Sequence, residues 1–97
     1  MEQPMFTFTA PMIYWRGPAP FYFAAIPPEI GLQIAAQAKK VSYGWGVIPV
    51  AAEINGVRFT TSLFPKDGAY LLPLKAKVRA QLGEIDDAAI QVSMTLG

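Results

Sequence analysis

Residues 47–63 read VIPVAAEINGVRFTTSL, two β-rich runs that meet at Asn55-Gly56. An Asn-Gly pair predicts a β-hairpin with a type I′ turn, because both central residues need a positive φ angle that Asn tolerates and Gly adopts freely. A two-residue loop also fixes the register of the hairpin. The register then places four apolar or β-branched pairs on one face, which we expect to be the core face: Ile54 with Val57, Ala52 with Phe59, Val50 with Thr61, and Ile48 with Leu63.

The opposite face of the hairpin is mixed in polarity, as a half-exposed sheet face should be. It carries Glu53 across from Arg58, and a one-residue slip would bury both charges, so the sequence specifies this register. An acid beside a cation fits a functional site, and it also fits an exposed cross-strand ion pair worth roughly 0.2–1 kcal/mol. We favour the ion pair, since it follows from the turn alone. The other expected pairs on this face are Ala51 with Thr60, Pro49 with Ser62, and Val47 with Phe64.

The composition indicates one folded domain spanning residues 1–97. Hydrophobic residues make up 53% of the chain and charged residues 15%, which excludes a disordered protein. Pro, Gly or charge interrupts every apolar segment before it reaches the roughly 20 residues of a membrane helix. Glu2 follows Met1 with no basic region ahead of an apolar run, so no signal peptide is expected and we predict a cytoplasmic protein. The net charge of +1 favours no polyanionic partner.

The chain contains neither His nor Cys, which removes Ser-His-Asp triads, Cys nucleophiles, disulfides and the common zinc sites. Glu84, Asp86 and Asp87 are the only clustered acids, and a solvated turn explains them better than a cation site, which needs six or more oxygen ligands. We therefore expect no metal, no cofactor and no enzymatic activity.

Period-two patterns predict further strands at both ends of the chain. In residues 5–14, Phe6 and Phe8 alternate with Thr7 and Thr9, and Pro11 should place this strand at a sheet edge or bend it. Residues 21–26 are short and apolar enough for a strand buried on both faces. Strands are also predicted for residues 69–72 and 90–96.

Two helices are predicted, each started by proline, which suits a first helical turn. The first begins at Pro27-Pro28-Glu29, and its buried stripe is Ile30, Ile34 and Ala38. The second opens at Pro73 and ends with Gly83 as the C-terminal cap, and its stripe is Leu74, Val78 and Leu82. Residues 65–68 read as a turn, and residues 42–46 as an aromatic, glycine-rich loop.

The order strand, proline-started helix, strand occurs twice, in residues 21–54 and 69–96. Such a duplication in a mainly β chain suggests a compact barrel whose ends are covered by helices, since closure removes exposed edges.

Several short motifs together resemble the bacterial "domain of unknown function 1905" family: WGVIPV at 45–50, TSLFP at 61–65, YLLPLK at 70–75, VR at 78–79 and LG at 82–83. The resemblance extends from about Phe6 to Leu96. It implies a small closed or split pseudo-barrel of about six strands with two short helices, and it implies no established activity.

A more distant likeness is to the half-barrel of swapped-hairpin (AbrB-like) transcription regulators, carried by Leu72-Pro73, Arg79 and Leu82-Gly83. Those proteins dimerise and bind DNA. Here both half-units lie in one polypeptide, so a monomeric barrel is sufficient and the likeness argues less for DNA binding. We expect a monomer or a weak dimer.

Two groups of residues are candidates for a ligand site. Lys75 and Arg79 fall together beside the helical stripe and could bind a phosphate or carboxylate, or else cover the edge of the core with their alkyl stems. Trp45, with Arg16 and the neighbouring loop aromatics Trp15 and Tyr43, could stack on a base or a sugar, or else close over the core. Ser62, with Thr60 and Thr61, could line a groove, although hydroxyls without a base are poor nucleophiles.

Three functions remain open from the sequence. We favour a non-enzymatic module that binds a protein or small ligand through a groove. The alternative is a nucleic-acid-binding regulator, and the near-zero net charge counts against it. An enzyme that uses Arg, Lys and carboxylates is the least favoured.

Overall fold

The computed structural model describes residues 5–16, 21–41, 48–66, 69–83 and 86–96. These contain seven strands and two helices. The elements in chain order are β1 (Met5–Ala10), β2 (Met12–Trp15), β3 (Phe21–Ala25), α1 (Pro28–Val41), β4 (Ile48–Ile54), β5 (Val57–Lys66), β6 (Ala69–Pro73), α2 (Ala76–Gln81) and β7 (Ile90–Leu96).

The central hairpin has the predicted turn and register. Asn55 and Gly56 have φ angles of +51° and +81°, both positive as a type I′ turn requires. Glu53 lies opposite Arg58, and all four predicted core pairs from Ile54–Val57 to Ile48–Leu63 are confirmed. The predicted pair of Val47 with Phe64 lies outside the described residues. The Asn55 side chain also donates a hydrogen bond to the backbone carbonyl of Leu82, which anchors the turn to the end of α2.

All seven strands form one antiparallel sheet in the order β1-β7-β4-β5-β6-β3-β2, curled into a half-barrel. The two edge strands, β1 and β2, are separated only by Pro11, so one bent segment borders both ends of the sheet. The predicted fold class, mainly β with two short helices, is confirmed. The strand count is seven rather than about six, because Pro11 divides the N-terminal strand as expected of a residue with no amide hydrogen.

The duplication is larger than the sequence pattern predicted. Residues 5–54 run strand, strand, strand, helix, strand, and residues 57–96 follow the same course with the long β5 replacing β1 and β2. In this correspondence β3 matches β6 and β4 matches β7, and each matched pair consists of neighbours in the sheet. Exchanging the two halves therefore gives the same order of strands read in the opposite direction. The Asn55-Gly56 turn is therefore the joint between two pseudo-symmetric halves.

The core lies on the concave side of the curled sheet, where α1 and the residues bordering α2 cover it. Its members come from every strand except the exposed β2, and they follow the predicted alternation. In β7, for example, Ile90, Val92, Met94 and Leu96 are buried while Gln91 is exposed. Among the described residues no polar or charged side chain is buried. Burying each large aliphatic side chain stabilises the fold by about 1.5–3 kcal/mol.

The first helix begins as predicted, at Pro28 with Glu29 in its first turn, and Ile34 is completely buried. The side chain of Ala38, the third member of the predicted stripe, is not among those described. The loop predicted at residues 42–46 also lies outside the described residues. The turn predicted at 65–68 is wrong for Pro65 and Lys66, which continue β5 because they pair with Tyr70 and Ala69. Asp67 and Gly68 lie outside the described residues.

The second helix does not open at Pro73. This proline ends β6, where it pairs with Phe23, and the next amide, that of Leu74, donates to the carbonyl of Tyr22 at 2.8 Å. The sheet ladder therefore keeps the chain extended through Leu74, and α2 starts only at Ala76. Leu74 and Leu82 are buried as predicted, but they flank the helix instead of lying within it. Gly83 has a φ angle of +70°, which confirms the C-terminal cap.

Candidate functional site

A groove opens on the outer surface where β5 and β6 separate. The ladder between these strands starts at Lys66–Ala69 and ends at Phe64–Leu71, although β5 continues back to Val57. Beyond that point β6 leaves to enter α2. The resulting space, which we call the Ser62–Lys75 groove, has a volume of about 590 Å³ and is lined by Pro49, Val50, Ala51, Thr60, Thr61, Ser62, Pro73 and Lys75.

Strand register explains why these residues meet. Ser62 lies opposite Pro49 across the central hairpin, and Thr60 lies opposite Ala51. Continuing the β5–β6 register past its last pair would set Ser62 against Pro73 and Thr60 against Lys75. The two prolines therefore border the groove on either side of Ser62, and neither has an amide hydrogen to donate to a neighbouring strand. The hydroxyls of Thr60 and Ser62 point to the same face, because they are two residues apart in one strand.

Lys75 supplies the only charge in this lining. Its side chain is exposed, and in the part of the chain that the structure describes no carboxylate pairs with it. An ammonium group with three donors beside two hydroxyls matches the oxygens of a carboxylate or phosphate. The groove therefore combines a cation that no described carboxylate pairs with and neutral hydroxyl donors, the combination that an anion requires.

Arg79 does not line the groove, and its side chain has structural partners. Its Nε donates to the carbonyl of Leu74 at 3.0 Å, and its guanidinium carbon lies 3.9 Å from the centre of the Tyr22 ring. Tyr22 in turn packs against Tyr14, the opposite residue in β2, with the two rings tilted by 51° and their centres 4.8 Å apart. Arg79 is half-buried, so its stem and guanidinium join α2 to the outer strands. Of the two residues that the sequence grouped together, Lys75 lines the groove and Arg79 does not, although the Arg79 amide donates to the Lys75 carbonyl at 2.9 Å.

The remaining predicted site residues divide between described and undescribed parts of the chain. Ser62 lies in the groove beside Lys75, as stated above. Arg16 is exposed at the end of β2 and does not line the groove. Trp45 and Tyr43 lie outside the described residues. The sequence did not identify Pro49 and Pro73 as residues of the groove. The registers of the β4–β5 and β5–β6 hairpins, taken together, place them on either side of Ser62.

Two other cavities are less suited to a polar ligand. A broad depression of about 800 Å³ crosses the outer faces of β7, β4 and β5, and its one cation, Arg58, is paired with Glu53 at 2.9 Å. This confirms the predicted exposed ion pair. A cavity of about 470 Å³ between α1 and β6 is lined by apolar residues and Tyr70, with Leu32 largely exposed at its rim.

The acidic turn shows a local structural role. Asp86 accepts a hydrogen bond from the amide of Ala88 at 3.0 Å, as aspartates do in tight turns. Glu84 lies outside the described residues. In the segments that the structure covers, no three potential metal ligands cluster, and no helix there is long and apolar enough to cross a membrane.

The chain belongs to the family described as "Domain of unknown function (DUF1905)", whose model matches residues 8–94. This confirms the resemblance seen in the sequence motifs. No protein with a curated description matches the chain, and no solved structure does.

Proposed function

We propose that this member of the DUF1905 family is a non-enzymatic binding module that holds a carboxylate- or phosphate-bearing small molecule in the Ser62–Lys75 groove. The observation that carries the proposal is the position of Lys75. Its ammonium group stands at the rim of a hydroxyl-lined groove with no carboxylate partner among the described residues. Two other described cations are bound within the fold: Arg58 pairs with Glu53, and Arg79 donates to the carbonyl of Leu74.

Binding rather than catalysis is supported by the chemistry of the lining. Ser62 has no imidazole or carboxylate beside it, and a hydroxyl without a base is a weak nucleophile. A lysine becomes a general base when it is buried away from water, whereas Lys75 is exposed. We further propose a cytoplasmic location, because a chain with no cysteine makes no use of an oxidising compartment.

The test is a nuclear magnetic resonance titration of the isotopically labelled protein with inorganic phosphate and, separately, with succinate. We expect saturable shifts of the Thr60, Ser62 and Lys75 amides, because these line the groove. Lys75→Gln should weaken the binding about tenfold, since a charge-assisted hydrogen bond contributes on the order of 1.5–3 kcal/mol before solvent screening at this exposed site.

The matched control is Lys77→Gln, which removes the same charge from an exposed position of α2 that does not line the groove. Binding should be unchanged in this variant. Shifts spread over the whole surface, or equal loss in both variants, would show that the anion responds to net charge and that the groove is not a site.

Nucleic-acid binding is the alternative, and it draws support from Lys75, Lys77 and Arg16 on the surface. The engagement of Arg79 with Leu74 and Tyr22 makes it a poor phosphate contact. Nucleic-acid binding requires a mobility shift that falls steeply with salt and is weakened by Lys77→Gln. The groove proposal requires neither.

A further inference from the structure

Equivalent hydrogen bonds recur in the two halves at a constant spacing along the chain. The amide of Ile26 donates to the carbonyl of Tyr70 at 3.2 Å, and the amide of Leu74 donates to the carbonyl of Tyr22 at 2.8 Å. Leu74 follows Ile26 by 48 residues, and Tyr70 follows Tyr22 by the same number. The pseudo-symmetry therefore matches individual residues, with Tyr70 as the counterpart of Tyr22 and Ile26 as the counterpart of Leu74.

The first turns of the two helices keep this spacing. The amide of Gly31 donates to the carbonyl of Pro27, and the amide of Arg79 donates to the carbonyl of Lys75, both at 2.9 Å. Gly31 and Arg79 are again 48 residues apart. A glycine in α1 thus occupies the position from which Arg79 in α2 extends its guanidinium over a tyrosine ring.

A cavity lies over the matching tyrosine ring in the first half. This cavity, of about 470 Å³ between α1 and β6, is lined by Ile26, Gly31 and Tyr70 among others, and we call it the Tyr70 cavity. A Cβ atom added to Gly31 would lie 3.9 Å from Cδ2 of Tyr70, so a side chain at this position would point at the ring. The carbonyl of Ile26 matches the one that accepts from Arg79, and no described residue donates a hydrogen bond to it. The Tyr70 cavity therefore has the counterparts of the ring and the carbonyl that bind Arg79, without a guanidinium of its own.

A guanidinium group is compatible with the lining of the Tyr70 cavity. None of the described residues that line it is charged, and a guanidinium is weakly hydrated and stacks on aromatic faces. The first turn of α1 contains Glu29, whereas the first turn of α2 contains no acid, so the charge near this cavity favours a cation more than the charge near Arg79 does. The volume lies in the range of roughly 300–1,000 Å³ that is typical of small-molecule sites.

We propose that the Tyr70 cavity binds a small molecule bearing a guanidinium group, which stacks on the Tyr70 ring and donates a hydrogen bond to the carbonyl of Ile26. The site is separate from the Ser62–Lys75 groove, because the two linings share no residue. Its ligand also has the opposite charge, so binding at one site can fail without affecting the other.

The experiment titrates the isotopically labelled full chain with n-propylguanidinium chloride and follows the backbone amides by nuclear magnetic resonance. Saturable shifts are expected at Gly31, Leu32 and Tyr70 but not at Ser62, with a dissociation constant on the order of millimolar for so small a ligand. N-propylurea has nearly the same shape without the charge. It should bind at least about threefold more weakly, because the face of the ring attracts a cation.

Removing the Tyr70 ring tests its part in the site. Tyr70→Leu keeps an apolar side chain on β6 and should weaken the binding of propylguanidinium at least about threefold. Tyr14→Leu is the matched control, because it removes an exposed tyrosine ring that does not line the cavity, and it should leave the affinity unchanged.

Gly31→Arg supplies the guanidinium from within the chain. This variant should no longer bind propylguanidinium. It should also melt about 2–8 °C above Gly31→Gln, whose neutral side chain has a similar helix propensity. The comparison decides the question even if Tyr70→Leu does not fold.

Four results would each overturn the proposal. They are the absence of saturable shifts at tens of millimolar propylguanidinium, equal affinity for propylurea, unchanged affinity in a folded Tyr70→Leu variant, and a Gly31→Arg variant that melts no higher than Gly31→Gln.

Discussion

Substituting Gly56 by valine tests the turn on which the central hairpin depends. Gly56 has a φ angle of +81°, and a Cβ atom added there would meet no atom within 4 Å. The cost of Gly56→Val is therefore conformational and not steric against neighbours. A left-handed conformation costs an L-residue about 1–2 kcal/mol, and β-branched residues adopt it least readily. Since 1 kcal/mol shifts the melting temperature of a domain of this size by about 4–8 °C, we expect a fall of about 4–16 °C.

The assay is thermal unfolding followed by circular dichroism, combined with urea unfolding to check that the slope of the free energy against urea is unchanged. Gly56→Asn is the matched control, because asparagine tolerates the same φ angle and should lose less than half as much stability. A valine variant that melts at the temperature of the unaltered protein, or an asparagine variant that loses as much as valine does, would refute the conformational argument.

Two other substitutions test the contacts made by the turn and by the first helix. Asn55→Asp keeps a residue that tolerates the turn but replaces the donor to the Leu82 carbonyl with a carboxylate. Urea unfolding should therefore show a loss of about 1–3 kcal/mol in the free energy of unfolding. Asn55→Gly is the control, and it should lose less stability because it places no negative charge beside the carbonyl. If the aspartate variant kept full stability, the side-chain bond to α2 would contribute nothing. Gly31→Ala should raise the free energy of unfolding by about 0.5–1 kcal/mol, because Gly31 lies within α1 and the added methyl would meet the Tyr70 ring at an ordinary 3.9 Å; a loss of stability would mean that this contact is too tight.

The central hairpin was predictable from the preferences of the residues at its turn, whereas the start of α2 depends on pairing between strands that are distant in the sequence. The Asn55-Gly56 turn determines its own register from four neighbouring residues, so every described pair from Ile54–Val57 outward was predictable. Pro73 looked like a helix start because its local preference is correct for one. The competing influence was a ladder to Tyr22, about fifty residues away in the chain, which no local pattern reveals.

The candidate site shows the same division. Ser62 and Lys75 were named from the sequence, and their meeting follows from the register of β5 with β6. Arg79 was grouped with Lys75 because both lie near one side of a helical wheel. Its actual position depends on Tyr22, whose ring attracts the guanidinium and whose strand is placed by the sheet order. Helical spacing contains no information about that neighbour.

The pseudo-symmetric halves that meet at Asn55-Gly56 have a consequence for how such a chain could arise. Four of the six strand pairings join one half to the other. Neither β4 nor β7 therefore has a partner within its own half, and β3 and β6 each have only one there. A polypeptide of half this length would have needed a second copy to complete its sheet. Duplication and fusion of its gene would have turned an assembly of two chains into a single chain, with the two-residue turn as the connection between the halves. Divergence of the two halves after such a fusion would account for the short α2 in the second half, compared with the long α1 in the first.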